Sequence, residues 1–121
     1  MKAYLLIALG SGLGGIARHW LSTVIASRIM SAFPWGTFVV NLVGAVLIGF
    51  VLALPESRLS AQAKQFLTVG MLGGFTTFSA FSAQTLQLVQ AGKLALASIY
   101  AVASVLVCFA GCWLGWVLSS K

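Results

Sequence analysis

The chain has 121 residues, 60% hydrophobic and 7% charged, with a mean hydropathy of +1.06. Its charges are seven Lys or Arg against a single acid, Glu56, a formal net charge of +6. Soluble domains carry about a quarter charged residues, a disordered tail would be less apolar and a nucleic-acid binder would cluster its cations, so the composition is that of an integral membrane protein that binds no nucleic acid.

A helix crossing a bilayer needs about 20 apolar residues, and the sequence divides into four such stretches. The first, residues 3–27, is interrupted by Arg18 and His19. It opens on Met1-Lys2 like a secretory signal, but no small-x-small site leads into a polar mature segment, and it reads as the first span. The second, residues 35–54, is uncharged and follows Pro34, which suits a helix start. The third, residues 66–89, is uncharged and carries Gly70, Gly73 and Gly74 ahead of Phe75-Thr76-Thr77-Phe78. The fourth, residues 94–118, ends in Trp113 and Trp116, a ring type that anchors at the membrane interface. The runs lack the apolar–polar alternation of barrel strands. The expectation is an all-α integral membrane protein: a single domain, residues 1–121, of four transmembrane helices with a break in the third.

Four spans put both termini and the 55–65 connection on one side. That side holds Lys2, Arg58, Lys64 and Lys121, and the other holds Arg28 and Lys93. A four-to-two bias is weak, and it serves equally for one fixed topology or for insertion in both orientations. Gly10–Gly14, Gly70–Gly74 and Gly111–Gly115 each repeat the G-x-x-x-G spacing that lets helix backbones approach closely. Four short helices enclose a pore poorly, so a homo-oligomer surrounded by lipid is the expected working unit.

The spans contain no Asp, Glu or Lys. A proton-driven exporter needs a titrating group on its substrate path, and His19 alone is on offer. No nucleophile–base–acid set can be assembled, so the chain does not read as an enzyme. Cys108 and Cys112 lie four apart on one helix face without companion ligands and read as packing residues.

Arg18 stands near the middle of the first span, where a cation costs at least about 2.5–3.5 kcal/mol against lipid. It suits two roles: capping carbonyls of a neighbouring helix, or forming an electropositive vestibule that draws anions in. The lack of a buried carboxylate favours the vestibule. Asn41 shares a helix face with Thr37, Ala45 and Gly49, where it serves either as interhelical glue or as a donor to an anion stripped of water. In the third span, double Gly followed by Thr-Thr reads as a helix break, and irregular backbone at that depth is tolerated only inside protein or along a cavity. Freed carbonyls there can coordinate a cation. Phe78 and Phe81 share a face, with Ser79 and Ser82 nearby; packing explains such a pair, yet ring edges are electropositive and can also face a small anion. Tyr100, Ser104 and Cys108 make a partly polar stripe on the fourth helix.

Three motifs, Gly14-Gly15-Ile16-x-Arg18, Gly36-Thr37-x-x-x-Asn41-x-x-Gly44 and Gly73-Gly74-Phe75-Thr76-Thr77-Phe78-Ser79-x-Phe81, together resemble the Fluc (CrcB) family of fluoride channels. The resemblance covers essentially the whole chain and is most specific in the third span. It implies an antiparallel, dual-topology homodimer in the inner (plasma) membrane, with two pores through which fluoride leaves the cytoplasm passively. It also implies roles for particular residues. Asn41 would donate to fluoride, Phe78 and Phe81 would form an aromatic box, and Thr77, Ser79 and Ser82 would be hydroxyl donors beside it. Tyr100 and Ser104 would belong to a polar track on the fourth helix, and Arg18 would line the vestibule. The backbone carbonyls of Gly73 and Thr76 would hold a structural sodium ion on the dimer axis. Cys108 stands where the family often continues the track with a hydroxyl, and His19 where an aromatic such as Tyr is usual.

The physics of the ion agrees with that resemblance. Fluoride is small and strongly hydrated, and burying it bare is costly. Amide protons, hydroxyls and ring edges can replace its water in small steps while holding it weakly enough to release. A dimeric transporter of the small multidrug-resistance kind is the alternative, and the missing membrane-embedded Glu counts against it. A non-transporting membrane subunit is a third reading.

Overall fold

The computed structural model describes residues 1–121, all of them helix or short connection. Hydrocarbon offers the backbone no hydrogen-bond partners, and the chain answers by closing 80 of its 94 backbone hydrogen bonds within helices. Helix α1 covers Lys2–Arg28, α2 covers Trp35–Ala53 and α6 covers Leu94–Ser119. Between α2 and α6 the third apolar stretch is subdivided. It runs as α3 (Ala61–Gln65), a π-helical segment (Phe66–Leu72), α4 (Gly73–Phe75) and α5 (Phe78–Gln90).

Three segments are long and apolar enough to cross a membrane: Trp35–Ala53, Ala61–Gln90 and Leu94–Ser119. Helix α1, at 27 residues, has the length. Arg18, His19 and four glycines dilute its apolar character, so three of the four expected spans qualify on length and hydropathy together. The outward surface suits lipid: Phe109 is 73% exposed and Trp113 62%, while the fully buried large side chains are only Tyr100 and Val40.

Helical structure begins five residues ahead of the expected start at 66, because Ser60 caps it. The Ser60 hydroxyl accepts from Ala63 N at 3.2 Å, and Ala61-Gln62-Ala63-Lys64-Gln65 are good helix formers. Lys64 reaches back to donate from Nζ to Leu52 O (2.9 Å) and Leu54 O (3.0 Å). It places a cation at the negative end of α2. At its far end α5 turns into α6 through Gly92, the one residue with positive φ (+75°), and Lys93 N closes the turn onto Leu88 O at 2.9 Å.

Two glycine seams hold these elements together. Helix α1 lies against the π-helical segment and α4. A Cβ on Gly14 would collide with Met71 O and come within 2.8 Å of Phe75 N, and one on Gly74 would collide with Ser11 backbone. On the other side α2 lies against α6, where a Cβ on Gly49 would strike Cys112 O and one on Gly115 would strike Val46 O. Backbone meets backbone at both seams, the geometry that small residues permit in membranes.

Candidate functional site

At Thr76 and Thr77 the third stretch leaves the helix. Thr76 has φ −81°, ψ 156° and Thr77 φ −150°, ψ 116°, both extended. Buried backbone with no helical partner must be satisfied some other way, and Asn41 of α2 does it. Its Nδ2 donates to Thr77 O at 3.2 Å, and its Oδ1 accepts from Thr77 N at 2.8 Å. Gly44, one turn along α2, makes the approach possible, since a Cβ there would run into the Thr76 methyl.

Two carbonyls change their circumstances as a result. The N–H of Thr77 would close a helical turn onto Gly73 O, but it is given to Asn41. The N–H of Ala80 would close one onto Thr76 O, but it is given to the Thr77 hydroxyl at 3.2 Å. Gly73 O and Thr76 O therefore lose their i+4 donors. No group of three or more His, Cys, Asp or Glu could hold a metal, so any cation here would have to meet backbone oxygens of this kind.

The break opens on two cavities. One, of about 350 Å³, is lined by Asn41, Gly73, Thr76, Thr77, Phe78, Phe81, Ser104 and Cys108 among others. The Ser104 hydroxyl is buried with no hydrogen-bond partner. The second, of about 520 Å³, is lined by Arg18, His19, Ser22, Thr37, Thr77, Ser79 and Gln84 among others. Thr77 borders both cavities. Neither holds an acid, because Glu56 lies in the connection between α2 and α3.

The rings are stacked in series. Phe78 and Phe81 are 5.3 Å apart between centroids, Phe81 and Tyr100 5.2 Å, and Phe33 meets Tyr100 edge-on at 5.3 Å. Tyr100 is fully buried behind Phe81 and donates its hydroxyl to Gln84 Oε1 at 3.0 Å. Phe78 is 77% exposed, an aromatic left uncovered at the rim of the smaller cavity.

The expected residues are thus distributed unevenly. Asn41, Thr77, Phe78, Phe81, Ser104, Gly73 and Thr76 meet at one cavity, whereas Arg18 and Ser79 line the other. Tyr100 supports Phe81 from behind and lines neither. Ser82 lies outside both and turns its hydroxyl onto Phe78 O at 2.9 Å. Gln84 and Phe33, which hold Tyr100, escaped sequence reasoning. Gln84 is visible only as an amide within an apolar run, and Phe33 lies in a connection where no pattern marks it. Chemically the arrangement provides neutral donors and ring edges in one chamber, a guanidinium and the His19 imidazole in the next, and a carboxylate in neither.

Residues 5–116 match the profile of the family described as CrcB-like protein, Camphor Resistance (CrcB). The chain is similar to the fluoride-specific ion channel FluC of Opitutus terrae, 46% identical over 121 residues that cover 97% of this chain and 92% of that protein. The corresponding protein of Rhodospirillum rubrum is 46% identical over 118 residues, covering 94% and 92%. One from Thermus thermophilus is 44% identical over 119 residues, covering 98% and 95%.

Proposed function

The chain belongs to the CrcB-like family, a family of channels rather than enzymes, and from that premise we propose that it is a passive, fluoride-selective channel that lets fluoride leave the cytoplasm down its gradient. The observation that carries the reading is that Thr77 joins a cavity of neutral donors and ring edges to a cavity holding Arg18, with no acid on either. An anion entering past Arg18 meets the Thr77 and Ser79 hydroxyls and then the second amide proton of Asn41, the first being given to Thr77 O. The edges of Phe78 and Phe81 and the unpartnered Ser104 hydroxyl follow. Neutral donors of this sort replace water without trapping the ion. A proton-coupled exporter would need a titrating group on its path; the spans contain no acid, and His19 beside Arg18 is the one residue on offer.

The working unit in this reading is an antiparallel, dual-topology homodimer in the inner membrane, with two pores. It is supported by the exposed Phe78 ring, which a second copy would cover, and by the near balance of charges at the two ends. Gly73 O and Thr76 O, relieved of their helical donors, would hold a sodium ion on the dimer axis. Sodium would supply a fixed positive charge there, tying the two broken helices together.

The deciding experiment is ion efflux from liposomes containing only this protein. Fluoride should leave without a proton gradient and chloride should be retained; chloride release at a comparable rate would overturn the assignment.

A further inference from the structure

The two cysteines of α6 stand one turn apart, yet only Cys108 lines the cavity of about 350 Å³ at the break. Cys112 does not line it, and its backbone carbonyl is the atom that a Cβ on Gly49 would strike in the seam between α2 and α6. Both thiols are free and partly exposed. Ser104, four residues before Cys108 on the same face of α6, lines the same cavity. It is 8% exposed, and its hydroxyl has no hydrogen-bond partner. A buried hydroxyl without a partner is a standing cost, and it marks where a bound group would be held. The rest of the lining fixes the kind of group. Asn41, Thr68, Thr76 and Thr77 contribute neutral amide and hydroxyl groups, Phe78 and Phe81 contribute rings, and there is no Asp, Glu or His. Calcium and magnesium take oxygen ligands rich in carboxylate, and zinc takes four donors. These side chains meet neither demand. A soft ion content with two ligands in line needs only the Cys108 thiolate and one ligand that it brings itself.

We propose that Cys108 and Ser104 form a soft-metal site in the wall of this cavity, taking a two-coordinate ion of the mercury(II) class delivered as its uncharged chloride. In the binding step the Cys108 S–H bond breaks and its proton passes to water. An S–Hg bond forms, one Hg–Cl bond breaks and one chloride leaves; no electrons are exchanged. The chloride that stays on mercury accepts a hydrogen bond from the Ser104 hydroxyl, which gives that buried donor its partner. The uncharged form matters, because a bare dication would be stripped of water at great cost to reach this depth. Capture of the metal does not depend on what the cavity conducts. Closure of the pore by captured metal rests on the fluoride-channel reading, in which the ion passes the Ser104 hydroxyl.

The probe is mercury(II) chloride, added to vesicles that hold the Cys112→Ser protein, in which Cys108 is the sole thiol. Mass spectrometry of the recovered protein should find one mercury per chain, and Cys108→Ser in the same background should carry none. Ser104→Ala should give up the metal at a competing-thiol concentration about fivefold lower, the effect of losing one neutral hydrogen bond. Ser104→Thr should restore the parent value. A Cys108 that takes no mercury would overturn the proposal, and so would equal retention with and without the Ser104 hydroxyl. Fluoride efflux is followed on the same vesicles. It should stop when mercury binds, return when excess thiol strips the metal, and ignore mercury in the Cys108→Ser variant. Metal bound without loss of efflux would overturn the closure. Efflux absent before any mercury is added would sink the channel reading, and the mass result would still decide the metal site.

Discussion

Asn41 and Thr77 bond each other through both ends of one amide, Oδ1 to the Thr77 N–H at 2.8 Å and Nδ2 to the Thr77 carbonyl at 3.2 Å. Asn41 is in effect a one-residue strand laid against a two-residue break. Replacing it with Ala strands a buried donor and a buried acceptor, each costing about 1–3 kcal/mol. Asn41→Ala should therefore lose fluoride efflux and melt earlier in detergent. Asn41→Asp keeps the acceptor for Thr77 N–H, so it should recover part of the melting temperature while still failing to conduct; recovery of flux in Asn41→Asp would show that the amide protons are not needed.

The glycine seams separate neighbours in sequence by their surroundings. Gly14→Ala drives a methyl into Met71 O, while Gly12→Ala meets nothing within 4 Å. The first should cost about 1–3 kcal/mol, as overpacking does, and the second should leave thermal unfolding where it was. Equal melting temperatures for the two variants would mean that α1 does not lie this close to Met71.

Phe81 is held from behind by Tyr100, itself tied to Gln84. Phe81→Ile should abolish fluoride flux and leave the protein folded, because the cavity loses a ring edge and little volume. Tyr100→Phe removes one hydroxyl and frees the Gln84 amide to turn. Flux should fall by a smaller factor than in Phe81→Ile, measured on the same liposome preparation.

Lys64 lines neither cavity at the break. Lys64→Met removes two bonds to the last carbonyls of α2, and the expected loss is about 1–3 kcal/mol of stability with conduction unaltered at moderate temperature. Thermal unfolding followed alongside efflux distinguishes this from a pore effect.

Sodium dependence tests the diverted carbonyls. Purifying and reconstituting the protein with N-methyl-D-glucamine in place of sodium should depress fluoride efflux, and readmitting sodium should restore it. Efflux indifferent to the exchange would remove Gly73 and Thr76 from that role.

Much of this was legible in the residues. Thr76-Thr77 behind Gly73-Gly74 is a poor helical sequence in a place where Leu would be cheap, and the backbone leaves the helix at those threonines. The G-x-x-x-G pairs face neighbouring helices, while Gly12 and Gly15, off that spacing, are open. The partnership of Asn41 with Thr77 was not legible, because it joins residues 36 apart through backbone groups that any side chain would carry. Ser82, for which the resemblance implies a donor role beside the rings, bonds its own i−4 carbonyl, as a serine inside a helix readily does. The π-helical winding of Phe66–Leu72, a segment packed against α1, has no periodic signature in the residues.

The seams also bear on how the chain is assembled. Helix α1 is clasped to the third stretch and α2 to the last helix, so neither close contact joins consecutive spans. As the chain enters the membrane, the first two helices meet at one glycine, Gly36, where a Cβ would come within 2.7 Å of Ser22 O, but neither seam can yet form. The first clasp shuts when Gly70 to Phe75 arrives, and the second seam waits for Gly111 and Gly115. A chain cut after Gln90 would therefore close the first seam and leave Gly49 uncovered, with α2 held only through Gly36 on Ser22 and through Gly44 and Asn41 at the break.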